Sequence, residues 1–221
     1  MRQIEQNEIE GLIETRLTGA FARYEGAIYP TFDTKTHVIE PFEIPRTWLH
    51  VRGLDLGFSH ATACVWAVRD LEGRYYVYRE YLKAKSSIED HVREINEGWE
   101  QLLVRGHTYA DPAAAQTLYE FTLRGLATVP ANKDVKAGIA TVQSLLRPAA
   151  DGQPKLFVFK TCENLIREMR TYVWDAKKLD QPRKINDDLV DALRYLCHSH
   201  SLDSNVSFTP LKQPEKKRVP F

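Results

Sequence analysis

The stretch that decides the fold is Arg52-Gly53-Leu54-Asp55-Leu56-Gly57-Phe58-Ser59-His60-Ala61-Thr62. It begins as an apolar strand, delivers one carboxylate to the strand end and then turns at Gly57. A second apolar run, Ala63–Val68, follows directly, as the return strand of a hairpin would. An acidic side chain in an apolar strand is costly to desolvate unless it is paired. Asp55 therefore predicts a metal, another cation or a set of backbone amides at this strand end.

The composition is that of a globular protein with a sizeable core. The chain has 221 residues, 43% of them hydrophobic. The formal net charge is zero, so no global basic field indicates a nucleic-acid partner, although a local one remains open. Cys64, Cys162 and Cys197 are too scattered for a disulfide framework, so we expect buried thiols in a reducing compartment. No signal peptide or long apolar run is evident, so we expect a soluble cytoplasmic protein without a membrane partner.

The order of predicted elements defines the fold class. The two hairpin strands are followed by a third strand, Arg74–Leu82, and then helices and strands alternate. Five helices are predicted after the third strand, and they begin at Ser86 or Ser87, after Asp111, at Lys133, after Thr161 and at Asp187. The first of them is predicted to end near Leu103. The later strands are predicted at residues 106–110, 126–130 and 155–159. This pattern predicts an α/β fold with a mixed central sheet, its first three strands antiparallel, flanked by helices.

We expect three segments along the chain. Residues 1–45 form an N-terminal extension and linker, irregular from residue 21 to 48 because prolines and glycines lie among its aromatic residues. Residues 46–202 form the α/β domain. Residues 203–221, with three prolines around Lys216-Lys217-Arg218, form a flexible basic tail.

A second carboxylate lies at the end of the fourth strand, in Tyr109-Ala110-Asp111-Pro112. In open α/β sheets, ligands gather outside the carboxyl ends of strands, and this position indicates a functional Asp111. The alternative is structural, because an Asp before Pro is also a common start of a helix.

A third group of carboxylates opens the last helix, in Asn186-Asp187-Asp188-Leu189-Val190-Asp191. The helix dipole explains acidic residues in the first turn, but Asp191 lies a full turn inside. Its spacing of three from Asp188 and four from Asp187 allows a shared face, where like charges destabilise the helix unless a cation bridges them. The cluster therefore predicts a metal site.

All of these groups are hard oxygen ligands, which suit Mg²⁺ or Mn²⁺ and do not suit zinc. Two such ions can activate a water on one side of a phosphodiester and stabilise the leaving oxygen on the other.

These motifs, in this order, resemble the nuclease domain of phage large terminase subunits. That family belongs to the ribonuclease H-like superfamily, in which it is most similar to the RuvC resolvases. The matching segments are Gly53–Gly57, Tyr109–Pro112, Asn132–Ile139, Asp187–Tyr195 and the lead-in from Tyr24 to Asp33. The resemblance covers about residues 20 to 200 and implies a ribonuclease H-like fold.

The resemblance also implies a metal-dependent endonuclease that cuts double-stranded DNA during viral genome packaging with two Mg²⁺ or Mn²⁺ ions. The implied catalytic and metal-binding residues are Asp55, Asp111, Asp188 and Asp191. Many relatives have Asp-His where this chain has Asp187-Asp188, so their His maps onto Asp188. Asp187 is then a second candidate ligand, an outer group or a helix cap.

The implied partners are double-stranded DNA, a packaging ATPase domain, the portal and the small terminase subunit, in the host cell cytoplasm. The sequence contains no Gly-x-x-x-x-Gly-Lys-Ser/Thr loop. We therefore expect a nuclease domain without its motor, which hydrolyses no ATP.

Basic residues near the acidic helix predict a local DNA-binding surface that the net charge hides; they are Lys133, Lys136, Lys177, Lys178, Arg183 and Lys184. A solvated surface without a ligand is the alternative. Arg194, one turn past Asp191, is predicted to pair with a carboxylate.

Three other functions stay open from the residues alone. A RuvC-like resolvase of branched DNA would share the fold. An actin-like phosphotransferase would also open with a strand-borne Asp-x-Gly, but its second phosphate loop and its Gly-rich adenosine segment are not found here. A non-catalytic packaging module would bind no divalent ion.

Overall fold

The computed structural model describes residues 26–57, 61–178 and 180–203. In this part of the chain, seven strands form one mixed sheet. The strands are β1 (Val38–Ile39), β2 (Leu49–Asp55), β3 (Thr62–Arg69), β4 (Tyr75–Lys83), β5 (Arg105–Ala110), β6 (Val129–Pro130) and β7 (Leu156–Phe159). The helices are α1 (Thr34–His37), α2 (Ile88–Asn96), α3 (Ala115–Leu123), α4 (Val135–Leu146), α5 (Glu163–Thr171) and α6 (Asp188–Asp203), with a short 3-10 turn at Pro112–Ala114.

The strand order across the sheet is β1-β7-β4-β3-β2-β5-β6. Strands β2, β3 and β4 form an antiparallel meander, whereas the remaining neighbours pair in parallel. The predicted α/β fold with three antiparallel opening strands and flanking helices is confirmed.

Helices cover both faces of the sheet. On one face, α4, α5 and α6 pack over the odd-numbered side chains of the hairpin, such as Val51 and Val65. On the other face, the even-numbered Leu54 and Trp66 pack with residues of α2 and α3. The three cysteines are buried and unpaired, as predicted. None of the described helices has the length and hydropathy that a membrane span requires.

Some predicted boundaries are wrong for identifiable reasons. Helix α2 ends at Asn96 rather than near Leu103, because Gly98 adopts a φ of 74° that a right-handed helix excludes. Helix α5 begins at Glu163 without a side-chain cap, so Thr161 does not have the predicted capping role.

The segment predicted to be irregular, residues 21–48, contains α1 and the edge strand β1, which pairs with β7. Ile28 and Tyr29 are buried in the core. The domain boundary near residue 45 stays a prediction. Residues 1–25 and 204–221, and with them most of the predicted extension and tail, lie outside the described residues.

Helix α6 lies directly on β2 at Gly53. A Cβ added at Gly53 would overlap the carbonyl oxygen of Ala192, and it would lie 2.8 Å from the Ala192 carbonyl carbon. Both are backbone atoms, which cannot move aside as a side chain can. The glycine of the Gly-x-Asp-x-Gly motif is therefore required by the approach of helix to strand, two residues before Asp55.

We expect Gly53→Ala to lower the free energy of unfolding by about 3 kcal/mol or more, because overpacking against the backbone forces α6 off the sheet. Gly106→Ala in β5 is the matched control. Its new Cβ would lie 2.9 Å from Val51 Cγ1, a side-chain atom rather than a backbone atom, so we expect a smaller loss of about 1–2 kcal/mol. Urea denaturation of both variants measures the difference. Equal losses would mean that the contact with α6 is not limiting.

Candidate active site

The sheet brings Asp55 and Asp111 to one edge. Strands β2 and β5 are parallel neighbours, and Leu54 pairs with Ala110. Each carboxylate is the next residue along its strand, so the two lie at adjacent strand ends. The predicted position of each Asp at the end of its strand is confirmed, and the structure adds that the two strands are neighbours.

Helix α6 brings the third group of acids to the same edge. Burial raises the pKa of Asp55 to about 7, and the nearby carboxylates of Asp191, Asp188 and Asp111 contribute to the rise, against the ammonium of Lys184. The four predicted ligands therefore act on one another electrostatically. They form one acidic site built from β2, β5 and α6.

Asp191 is buried and accepts hydrogen bonds from three neighbouring side chains. Its Oδ1 accepts hydrogen bonds from Arg194 Nη2 at 3.0 Å and from the Tyr172 hydroxyl at 3.3 Å. Its Oδ2 accepts one from Lys184 Nζ at 2.5 Å. The prediction that Arg194 pairs with a carboxylate is confirmed.

The ammonium of Lys184 lies between two carboxylates. Besides Asp191, it contacts Asp187 Oδ2 at 2.8 Å. Burial works against its charge, but Asp191 and Asp187 raise the pKa of Lys184 above its ordinary value. The structure therefore places this residue, predicted to bind DNA, among the acids, where its cation lies between the carboxylates of Asp187 and Asp191.

The contacts of Asp111 bear on both alternatives considered for it. Its Oδ1 accepts a hydrogen bond from the Ala113 amide at 2.8 Å, which caps the 3-10 turn. Its Oδ2 accepts one from the Tyr195 hydroxyl of α6 at 3.4 Å. Lys133 Nζ lies 3.2 Å from Oδ1. Capping is thus confirmed for one oxygen, while the other faces the helix that carries the remaining acids.

Glu168 of α5 is a buried acid that the sequence patterns did not indicate. Its Oε2 accepts hydrogen bonds from the backbone amides of Leu189 and Val190, at 2.8 and 3.1 Å, in the first turn of α6. Burial raises the pKa of Glu168 to about 8, with a contribution from Asp188 and Asp187 and against the two amides. No local sequence signal distinguishes it, since its partners are more than twenty residues away.

The other predicted DNA-binding residues lie around the site without converging on one point. Lys136 forms an exposed ion pair with Asp180. Lys177 and Lys178 are exposed in a loop whose amides bind Asp175 Oδ1, and Arg183 is exposed beyond it. Their role in binding DNA stays a prediction.

The donor set fits a divalent cation, although the side chains are not preassembled around one. Among the described residues, no group of three or more acidic, His or Cys side chains is close enough to hold a metal ion as it stands. The donors at the site are carboxylate oxygens, which Mg²⁺ and Mn²⁺ prefer. Their mutual repulsion at Asp55 and the ammonium beside Asp191 both indicate a site that requires positive charge.

Comparison with known proteins identifies related domains. Residues 52–200 match a family model described as the terminase RNaseH-like domain. The large terminase of a thermophilic bacteriophage, in complex with ADP, superposes with a TM-score of 0.68 at 25% identity, covering 81% of this chain and 46% of that one. The chain thus spans less than half of that protein. No curated protein matches the chain.

Two isolated nuclease domains share the fold. The P22 large terminase nuclease domain has a TM-score of 0.63 at 20% identity and covers 80% of this chain and 97% of that chain. The nuclease domain of the large terminase from bacteriophage SPP1, with bound Mn, has a TM-score of 0.58 at 17% identity and covers 76% and 96%.

We expect Asp55→Asn to stabilise the metal-free protein at high pH. Because the pKa of folded Asp55 is near 7 and that of an unfolded Asp is about 3.9, the folded state keeps a proton that the unfolded state loses. The free energy of unfolding therefore falls as pH rises between these values. Relative to the difference at pH 4, the variant should gain on the order of 1–3 kcal/mol over the parent at pH 8.

Urea denaturation in EDTA measures this difference at both pH values. Asp151→Asn is the control, because Asp151 is exposed in the turn before β7, at the opposite end of the sheet, and it should show no gain at high pH. A difference between Asp55→Asn and the parent that does not change with pH would contradict the assignment of this proton to Asp55.

Proposed function

Because the chain belongs to the terminase RNaseH-like domain family, we propose that it is a metal-dependent endonuclease that cuts double-stranded DNA during viral genome packaging. The observation that carries the proposal is the meeting of Asp55 and Asp111 at adjacent strand ends, facing the acids of α6. This arrangement concentrates negative charge at one edge of the sheet, as a site for divalent ions requires.

Asp55, Asp111, Asp188 and Asp191 would hold two Mg²⁺ or Mn²⁺ ions, with Asp187 as a further candidate ligand. When bound, such ions supply an activated water and stabilise the leaving oxygen of a phosphodiester. The Mn bound to the SPP1 nuclease domain supports this choice of metal.

Neighbouring side chains orient Asp191 and offset its charge. Arg194 and Tyr172 anchor one oxygen of Asp191, so that its other oxygen, now at Lys184, faces the acids. The Lys184 side chain is largely exposed, so it can leave Asp191 when a divalent ion binds. The released ammonium would then be available for a DNA phosphate, together with the exposed lysines of the neighbouring loop.

The proposal extends to partners and place of action. The large terminase of the thermophilic bacteriophage, less than half of which matches this chain, was solved with ADP. We propose that this domain acts beside a packaging ATPase, with the portal and the small terminase subunit, in the host cell cytoplasm. We also propose the division into a linker (1–45), a nuclease domain (46–202) and a basic tail (203–221).

We expect the purified protein to nick and linearise plasmid DNA with Mn²⁺ or Mg²⁺ and to show no cleavage in EDTA. Asp55→Asn and Asp191→Asn should each lower the rate by at least about a hundredfold, because each removes a charged ligand. Agarose gel electrophoresis of supercoiled plasmid measures the rates.

The control is Asp151→Asn, which should cleave at the parental rate. Unchanged cleavage by the Asp55 and Asp191 variants would refute the site. A rate on four-way junctions that greatly exceeds the rate on linear duplex would favour a resolvase instead.

A further inference from the structure

The first turn of α6 is capped in an unusual way. Helix caps are normally supplied by the residue just before the helix, whose side chain accepts from the second or third amide of the first turn. Asp187 occupies that place, and its backbone carbonyl accepts the first helical hydrogen bond, from Asp191. Yet its carboxylate lies against Lys184, and the two amides donate to Glu168 of another helix instead.

We propose that Glu168 is a positioning residue for the acidic site: it caps α6 from outside and thereby holds the turn that carries Asp188 and Asp191. This inference rests on the proposed function, since it assigns Glu168 a role at the same metal site. Glu168 touches neither substrate nor metal in this role. It acts through the backbone of Leu189 and Val190.

Two features of the contact support this role over an incidental one. Glu168 is only 2% exposed, and Leu189 and Val190 are fully buried, so the hydrogen bonds between them are shielded from solvent. A buried amide left without a hydrogen-bond partner destabilises the fold. The bound amides belong to the two residues between Asp188 and Asp191, so any shift of this turn moves both proposed ligands.

The contact also determines which acids are available to a cation. Because Glu168 takes the capping hydrogen bonds, Asp187 is not needed for them, and its carboxylate joins Asp191 around Lys184. A cap supplied from α5 therefore leaves the carboxylate of Asp187, like that of Asp191, directed to the ammonium of Lys184.

Three substitutions separate position from charge. Glu168→Gln keeps an acceptor oxygen within reach of the amides but removes the ionisable carboxyl group. Glu168→Asp keeps the carboxyl group but withdraws its oxygens by one methylene. Glu168→Ala removes both. Glu163→Ala, on the exposed side of α5, controls for a general effect of losing an acid from that helix.

The first readout is amide hydrogen exchange of the metal-free protein, which does not depend on cleavage. We expect the peptide covering residues 187–193 to exchange at least about tenfold faster in the Ala and Asp variants, and at the parental rate in the Gln and Glu163→Ala variants. The second readout is Mn²⁺ binding by calorimetry, with about tenfold weaker binding in the Ala and Asp variants, as expected for loss of a group that orients ligands.

The outcomes are distinguishable from failure of the proposed function. A parent protein that binds no Mn²⁺ refutes the metal site, and the exchange experiment still decides whether Glu168 holds the turn. Parental exchange in Glu168→Asp, or in Glu168→Ala, overturns the inference. Faster exchange in Glu168→Gln together with parental exchange in Glu168→Asp would also overturn the inference. That result would show that the ionisable carboxyl group, and not the position of its oxygens, holds the turn. If the Ala variant fails to fold, the Asp and Gln pair decides.

Discussion

The structure depends on the close approach of one helix to one strand. Helix α6 is buried along most of its length, and it reaches β2 because Gly53 has no side chain to keep it away. A second glycine has a similar function, since a Cβ on Gly138 of α4 would lie 2.6 Å from Arg194 Cγ. Glycines on two sides of α6 thus determine where the helix lies. The position of the acids at its start depends on the same contacts.

This packing brings several carboxylates close together, and nearby cations offset part of their negative charge. Asp55, Asp111, Asp187, Asp188 and Asp191 contribute five negative charges when all are ionised. Lys133, Lys184 and Arg194 offset part of this charge through their contacts with Asp111, Asp187 and Asp191. Burial and the nearby carboxylates of Asp191, Asp188 and Asp111 raise the pKa of Asp55 to about 7. Divalent ions bound at this edge of the sheet would offset more of the negative charge.

Much of this arrangement was predictable because it depends on short-range patterns. The hairpin pattern placed Asp55 at a strand end, the short strand before Asp111 placed that acid at another, and the helical spacing put Asp188 and Asp191 in the first turns of one helix. The pairing that makes the two strands neighbours was not predicted. Lys184 and Glu168 were not predictable in their observed roles. Their contacts depend on how a loop and α5 pack against α6, and nothing in the neighbouring sequence encodes that packing. The two-residue strand β1 is also too short to show a period.

The two cations beside Asp191 differ in their place in the chain and in their exposure to solvent. Arg194 is on the same helix, buried, and packed against Gly138, so its ion pair with Asp191 moves with the helix. Lys184 belongs to the preceding loop, and its side chain is 63% exposed. The Asp191 carboxylate of this pair is only 7% exposed, so it requires a cation in the place of Lys184 if that side chain moves away. A divalent ion at this position would supply that charge, whereas Arg194 would continue to orient the carboxylate. Arg194 thus orients the Asp191 carboxylate, and Lys184 offsets the charge of Asp187 and Asp191.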